Sequence, residues 1–181
     1  MINTIIISII FAFLYAINYL FKKDRQHDFK KNHHLYKKLA KNVSQLLGDN
    51  LVKYIRTGST ACGISIGSSD IDIGIFVNDV GAALETLIDN GFIITQKYGH
   101  FINLTKAKNP LTANLDCDVK IYFQEEELDR LDEAIKKYTD TVSACTRYWI
   151  ISQKFWYNLT NQSGTYDIIK KAYYRKYHIL K

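Results

Sequence analysis

The chain has 181 residues, 47% of them hydrophobic and 23% charged, which fits one globular domain of ordinary size; with one Pro and nine Gly, collagen-like or proline-rich linker character is excluded. The net charge of +6 is unevenly spread: residues 1–21 carry none, residues 22–41 hold eight Lys/Arg against two Asp, and residues 165–181 hold five against Asp167. Basic flanks therefore surround an acidic body, and the three cysteines (Cys62, Cys117, Cys145) show no CxxC or Cys/His spacing, which argues against a zinc site or a disulfide scaffold.

Residues 2–21 form an almost continuous apolar run of about the 20 residues that a bilayer-spanning helix needs. Asn3 and Asn18 sit near its ends, and Tyr15, Tyr19 and Phe21 suit a membrane interface. No basic n-region or small-x-small cleavage site marks a signal peptide, and no polar stripe marks a core helix. The expectation is an uncleaved transmembrane anchor over 1–21 and a basic juxtamembrane segment over 22–41. Because the Lys/Arg cluster follows the span, the C-terminal body is expected in the cytoplasm, with the basic stretch against anionic headgroups. Sequons at Asn42, Asn103, Asn158 and Asn161 would serve a lumenal body, but an Asn-rich chain acquires such triplets by chance.

Next, Leu35, Leu39, Val43, Leu46 and Leu47 fall at helical spacing, and Gly48-Asp49-Asn50 ends that helix. Residues 51–57 (LVKYIRT) read as a strand with Val52, Tyr54 and Arg56 on one face, and 71–77 (IDIGIFV) as a second, β-branched one. Asn78 or Asp79 caps a helix with Val80, Leu84, Leu87 and Ile88 inward, closed by Asn90-Gly91. FIITQK and FINLTK flank Tyr98-Gly99-His100 as a hairpin, and 114–123 (NLDCDVKIYF) is a further strand. An amphipathic helix runs from Glu125 to Tyr138, acidic at its start and ending in Lys136-Lys137 as the helix dipole favours. A longer aromatic helix covers about 141–158, and the basic, Tyr-rich tail is helical in pattern. This order predicts an α/β (α+β) domain around a mixed sheet.

The chemistry gathers in one stretch. Gly58-Ser59 follows a strand and opens a turn whose backbone N–H groups, with the Ser59 hydroxyl, can hold a phosphate oxygen; Gly63 relieves the next part of the turn. Period two puts Asp70 and Asp72 on one face of the second strand while Ile71, Ile73 and Ile75 point to a core. Two carboxylates one strand-step apart suit Mg²⁺, a hard cation that accepts carboxylate and phosphate oxygens. Asp116, Asp118 and Lys120 share a face on the later strand and offer a third acid. Converging acids repel one another, and a divalent ion resolves that repulsion.

GSTACGISIGSSDIDIGIFV resembles the signature of the DNA polymerase beta-like nucleotidyltransferase superfamily: Gly-Ser, a glycine four residues after the Ser, then Ser-Asp-hydrophobic-Asp-hydrophobic. It is most similar to the version in poly(A)-polymerase-type enzymes and small stand-alone nucleotidyltransferases. Asp118-Val-Lys-Ile resembles the third-carboxylate strand, and Asp116 is the alternative. The resemblance covers about residues 50–123 and implies a nucleotidyltransferase core over 42–124 with a C-terminal helical region over 125–181. It further implies two-metal transfer of a nucleoside monophosphate from an NTP to a hydroxyl on a nucleic-acid end, a protein or a small molecule. Asp70 and Asp72 would bind both Mg²⁺ (or Mn²⁺) ions and Asp118 the one that activates the acceptor. Gly58 and Ser59 would hold the triphosphate, with Lys120 offsetting phosphate charge. SSDIDIGIFV, Gly91-Phe92 and DVKIYFQEE also resemble fukutin and LicD-type phosphotransferases with CDP-linked donors, without the longer segment those carry before the acidic motif.

Other assignments stay bland beside these. His100 reads as a turn residue, His33-His34 as exposed, and Tyr148, Trp149, Phe155, Trp156 and Tyr157 as helix-packing core. The tail's Tyr166, Tyr173, Tyr174 and Tyr177 among Lys170, Lys171, Arg175 and Lys176 fit a base-stacking surface or an ordinary amphipathic helix equally. The rival to an enzyme is an inactive, membrane-tethered module. Only 63 residues follow Asp118, little for gripping a polymer.

Overall fold

The computed structural model describes residues 30–65, 69–106 and 116–160 (side chains to 154), with residues 168, 171, 172 and 175–177 of the tail. The predicted anchor over 2–21 lies outside these; among the described residues no helix is long and apolar enough to cross a membrane. The elements are helix α1 (residues 30–47), a 3-10 turn at Gly48–Asn50, β1 (Leu51–Arg56), α2 (Gly58–Ala61), β2 (Ile71–Val77), α3 (Val80–Asp89), β3 (Ile93–Lys97), β4 (Phe101–Lys106), β5 (Cys117–Tyr122), α4 (Glu125–Thr141) and α5 (Ala144–Thr160).

The five strands form one mixed sheet in the order β1-β2-β5-β4-β3. β2 and β5 run parallel at its centre, and the remaining neighbours pair antiparallel. Alternation along the strands divides the faces. Ile71, Ile73, Ile75, Val119, Ile121 and Leu104 point to one side and are fully buried against Leu39, Val43 and Leu47 of α1 and Ala83 and Leu87 of α3. Each fully buried isoleucine there contributes about 1.5–3 kcal/mol of transfer free energy. The other face carries Asp72, Asp118 and Lys120 and is covered at one end by Leu128 of α4 against Ile55 and Tyr122. Gly74 makes that cover possible, because a Cβ there would sit 2.9 Å from Leu128 Cδ1 and 3.0 Å from Thr57 Cγ2.

Several boundaries follow tertiary packing rather than local pattern. The first helix already includes residue 30, ahead of the expected start at Leu35. Asp79 is the α3 cap, its Oδ1 accepting from the Ala82 N–H at 3.0 Å. Ile88, expected inward, is 46% exposed, and Ala83 takes its place in the core. β5 begins at Cys117, leaving Asp116 just ahead of the strand. α4 runs on to Thr141, three residues past Tyr138, because Tyr138 and Val142 are buried with Ile150 and Ile151 of α5. Its acidic first turn, Glu125 to Glu127, is as expected, but Lys136 and Lys137 lie before the last turn, and Lys136 pairs with Asp132 at 2.6 Å. In α5 Ile150 and Ile151 are buried whereas Trp149 is 47% exposed; the side chains of Phe155, Trp156 and Tyr157 lie outside the described residues. Tyr177 of the tail packs edge-on against Tyr138, with ring centroids 5.4 Å apart.

Candidate active site

The site is built by two parallel strands and one turn. In the β2–β5 register Asp72 lies directly beside Asp118, and Gly74 beside Lys120. Asp70 and Asp116 precede these strands, and the Ile71 N–H donates to the Asp116 carbonyl at 3.0 Å, holding the strand starts together. Parallel pairing therefore brings the sequence-distant acids Asp70, Asp72 and Asp118 to one end of one face. Asp72 is buried, Asp118 half-buried and Asp70 exposed at the rim.

The Gly58-Ser59 turn closes the site from β1. The Thr57 N–H donates to the Asp72 carbonyl at 3.3 Å, and Gly58 adopts φ +67°, open to a residue without a Cβ. A Cβ on Gly58 would lie 1.9 Å from Asp72 Oδ2, so the glycine's backbone rests against that carboxylate. Ser59 is buried beneath it.

Electrostatics show the crowding. Desolvation raises the Asp70 carboxyl above its ordinary value, Asp72 and Asp116 add to that, and Lys154 works against it. Asp118 is likewise raised, first by burial and then by Asp72 and Asp70, against a hydrogen bond from Thr105 Oγ1 to Asp118 Oδ1 at 2.6 Å. Lys120 Nζ donates to Asp72 Oδ1 at 2.5 Å. Burial alone would lower the Lys120 ammonium, but Asp72 and Asp118 outweigh it and hold it raised.

Lys154 of α5 escaped the sequence reading. Its Nζ donates to Ser69 Oγ at 2.6 Å and reaches Ser59 Oγ at 3.4 Å, placing a cation where the serine turn meets Asp70. It stands 95 and 85 residues from Ser59 and Ser69, so no local spacing announces it. The available signal was the one lysine of α5, set directly before its Phe155-Trp156-Tyr157 run. Of the bland assignments, His100 stacks edge-on against Phe101 at the hairpin tip, and His33 Nδ1 accepts from Arg56 Nη1 at 3.2 Å. Asn103 lies buried in β4, which closes its sequon to modification in the folded chain.

The donor chemistry fits a divalent cation: three hard-oxygen carboxylates on one face, two of them raised in part by mutual repulsion, and a glycine cradle against the central one. Among the described residues, however, no set of three such side chains is gathered tightly enough to hold an ion as it stands. The Lys120–Asp72 pair occupies one of the oxygens that would be needed.

No protein-family model matches the sequence, and no curated protein does. The fold does match solved structures. A Cid1 structure bearing on its RNA terminal uridylyl transferase activity superimposes with a TM-score of 0.54 at 14% identity, over 81% of this chain and 47% of that one. A second, Cid1 poly(U) polymerase with Mg 3'-dATP bound, has a TM-score of 0.54 at 15% identity over the same shares of the two chains. The chain thus spans about half the length of these neighbours. At this identity the likeness is one of fold. The mixed sheet with its flanking helices is a fold that this chain shares with those Cid1 structures.

Proposed function

We propose that the protein is a Mg²⁺- or Mn²⁺-dependent nucleotidyltransferase that moves a nucleoside monophosphate from an NTP to a hydroxyl acceptor. The observation that carries this is Asp72 beside Asp118 in the parallel register, with Asp70 at the rim and the Gly58-Ser59 turn against Asp72. A divalent ion held by Asp70, Asp72 and Asp118 would supply Lewis-acid neutralisation of the phosphate charge. Gly58 lets the turn lie against the Asp72 carboxylate, and Ser59 and Lys154 offer a hydroxyl and an ammonium to the phosphate oxygens. In the reaction the acceptor oxygen loses its proton to water and bonds the α-phosphorus. The bond to the β-phosphate oxygen breaks, and pyrophosphate leaves. The named activities of the structural neighbours make UTP and an RNA 3′ end the first substrates to try.

A second reading is favoured by one specific observation. The Lys120–Asp72 ion pair is what an inactive descendant would use to settle its carboxylates without metal. Full-length protein in detergent, incubated with each labelled NTP, Mg²⁺ or Mn²⁺, and RNA or DNA primers, separates the two readings. Label that reaches primer or protein and vanishes in Asp72→Asn supports the transferase; no transfer with any NTP supports the inactive module. Tethering of this body to a membrane through residues 2–21, facing the cytoplasm, is also proposed, on the apolar run and the Lys/Arg asymmetry alone. Resistance of the protein to carbonate extraction from membranes would test it.

A further inference from the structure

Lys120 sits on the central strand β5 with a different neighbour on each side. Its register partner on β2 is Gly74 and on β4 is Asn103. Because Gly74 has no side chain, the lysine reaches along the sheet to Asp72 Oδ1. On the other side Asn103 is buried at 6% exposure. Its Nδ2 donates to Thr95 Oγ1 at 2.9 Å, but its Oδ1 is buried with no hydrogen-bond partner among the described residues. The neighbouring hydroxyls are engaged elsewhere, Thr95 with the Asn103 carbonyl and Thr105, and Thr105 with Asp118. A buried amide oxygen without a donor is unfavourable, and an ammonium has three donors to give. One strand away stands the only described lysine in register with it.

We propose that Lys120 is a displaceable counter-cation with two seats: it neutralises Asp72 in the metal-free protein and turns to Asn103 Oδ1 when the carboxylates hold a divalent ion. This rests on the metal-binding reading above. Lys120 and a cation compete for the same Asp72 oxygen, so metal affinity is set partly by how readily the lysine leaves. The Asn103 oxygen lowers the cost of leaving, because the ammonium then keeps a buried acceptor instead of none. The pairing also explains how adjacent carboxylates stay together without metal.

The test is Mn²⁺ binding to the full chain in detergent, without nucleotide, read from the electron paramagnetic resonance signal of the free ion. Lys120→Gln is expected to bind on the order of tenfold tighter than Lys53→Gln, which removes the same charge from an ion pair with Asp129 on the far side of β2. Asn103→Val is expected to weaken binding several-fold when Lys120 is present and to change nothing on top of Lys120→Gln. That coupling is one a merely structural role for Asn103 would not produce. Should Lys120→Gln fail to fold by circular dichroism, Asn103→Val alone decides, and unchanged affinity overturns the second seat. If the wild type binds Mn²⁺ and Lys120→Gln binds no tighter than the Lys53 control, the counter-cation is wrong and the metal reading stands. If neither wild type nor Lys120→Gln binds, both fail. Binding only in Lys120→Gln supports the counter-cation while favouring the inactive reading of the natural chain.

Discussion

Gly58→Ala tests whether the turn and the carboxylate form one unit. An alanine at φ +67° carries a left-handed backbone penalty of about 1–2 kcal/mol. Gly48, at φ +51° with nothing within 4 Å of its ideal Cβ, measures that penalty alone when changed to alanine. At Gly58 the new methyl would also meet Asp72 Oδ2 at 1.9 Å, Cγ at 2.4 Å and Cβ at 2.9 Å. Rotating the carboxylate cannot relieve contact with its own Cβ, so β2 or the turn must shift, adding about 1–3 kcal/mol of overpacking. Urea denaturation should therefore show Gly58→Ala destabilised by about 2–5 kcal/mol and Gly48→Ala by about 1–2 kcal/mol. Displacing Asp72 by as little as roughly an ångström should also cost transfer activity about 100-fold or more, while Gly48→Ala stays near wild type. Equal stability and equal activity in the two variants would refute the contact between Gly58 and Asp72.

Asp118→Asn should abolish transfer yet stabilise the metal-free protein at neutral pH. The native Asp118 carboxyl is raised above its unfolded value, so its contribution is complete below that unfolded value and is lost as pH rises through the raised one. Relief of the burial cost and of the repulsion is worth on the order of 1 kcal/mol, about 2–4 °C in Tm at pH 7, shrinking toward zero in acid, and a Tm unchanged at pH 7 would contradict it. Lys154→Met should raise the KM for NTP about tenfold or more with little change in Tm, as measured by initial-rate kinetics; an unchanged KM removes Lys154 from the phosphate site. Leu128→Ala, which empties the space over Gly74 and Tyr122, should cost about 2–5 kcal/mol in urea titration, and a loss under about 1 kcal/mol would mean that α4 does not seal that face.

Much of this architecture was legible because β2 and α3 state their chemistry locally. Alternating isoleucines with aspartates between them can satisfy only a strand with one core face, and Asp79 before an apolar helix reads as its cap. The hairpin around Gly99 is equally local. The register that puts Asp72 beside Asp118 was not legible, because a parallel pair has no turn to fix its alignment. Lys154 and Asn103 were missed for a related reason: their roles are set by partners on other elements. At Trp149 the sequence misleads, because a bulky aromatic looks more core-like than isoleucine. In the structure Ile150 and Ile151 meet Tyr138 while Trp149 faces outward.

The position of β5 also dictates an order of assembly. As the chain is synthesised, β1 with β2 and β3 with β4 can each form an antiparallel ribbon from nearby residues. Neither ribbon contacts the other through its own strands, and β2 and β4 each present an open edge until β5 slides between them. Lys120 and Asp72, 48 residues apart, meet only at that late, non-local step. A nascent chain paused before residue 117 therefore exposes two edges that the finished sheet pairs, besides β1 and β3, and no complete carboxylate cluster; the same strand that completes the chemistry closes those two edges.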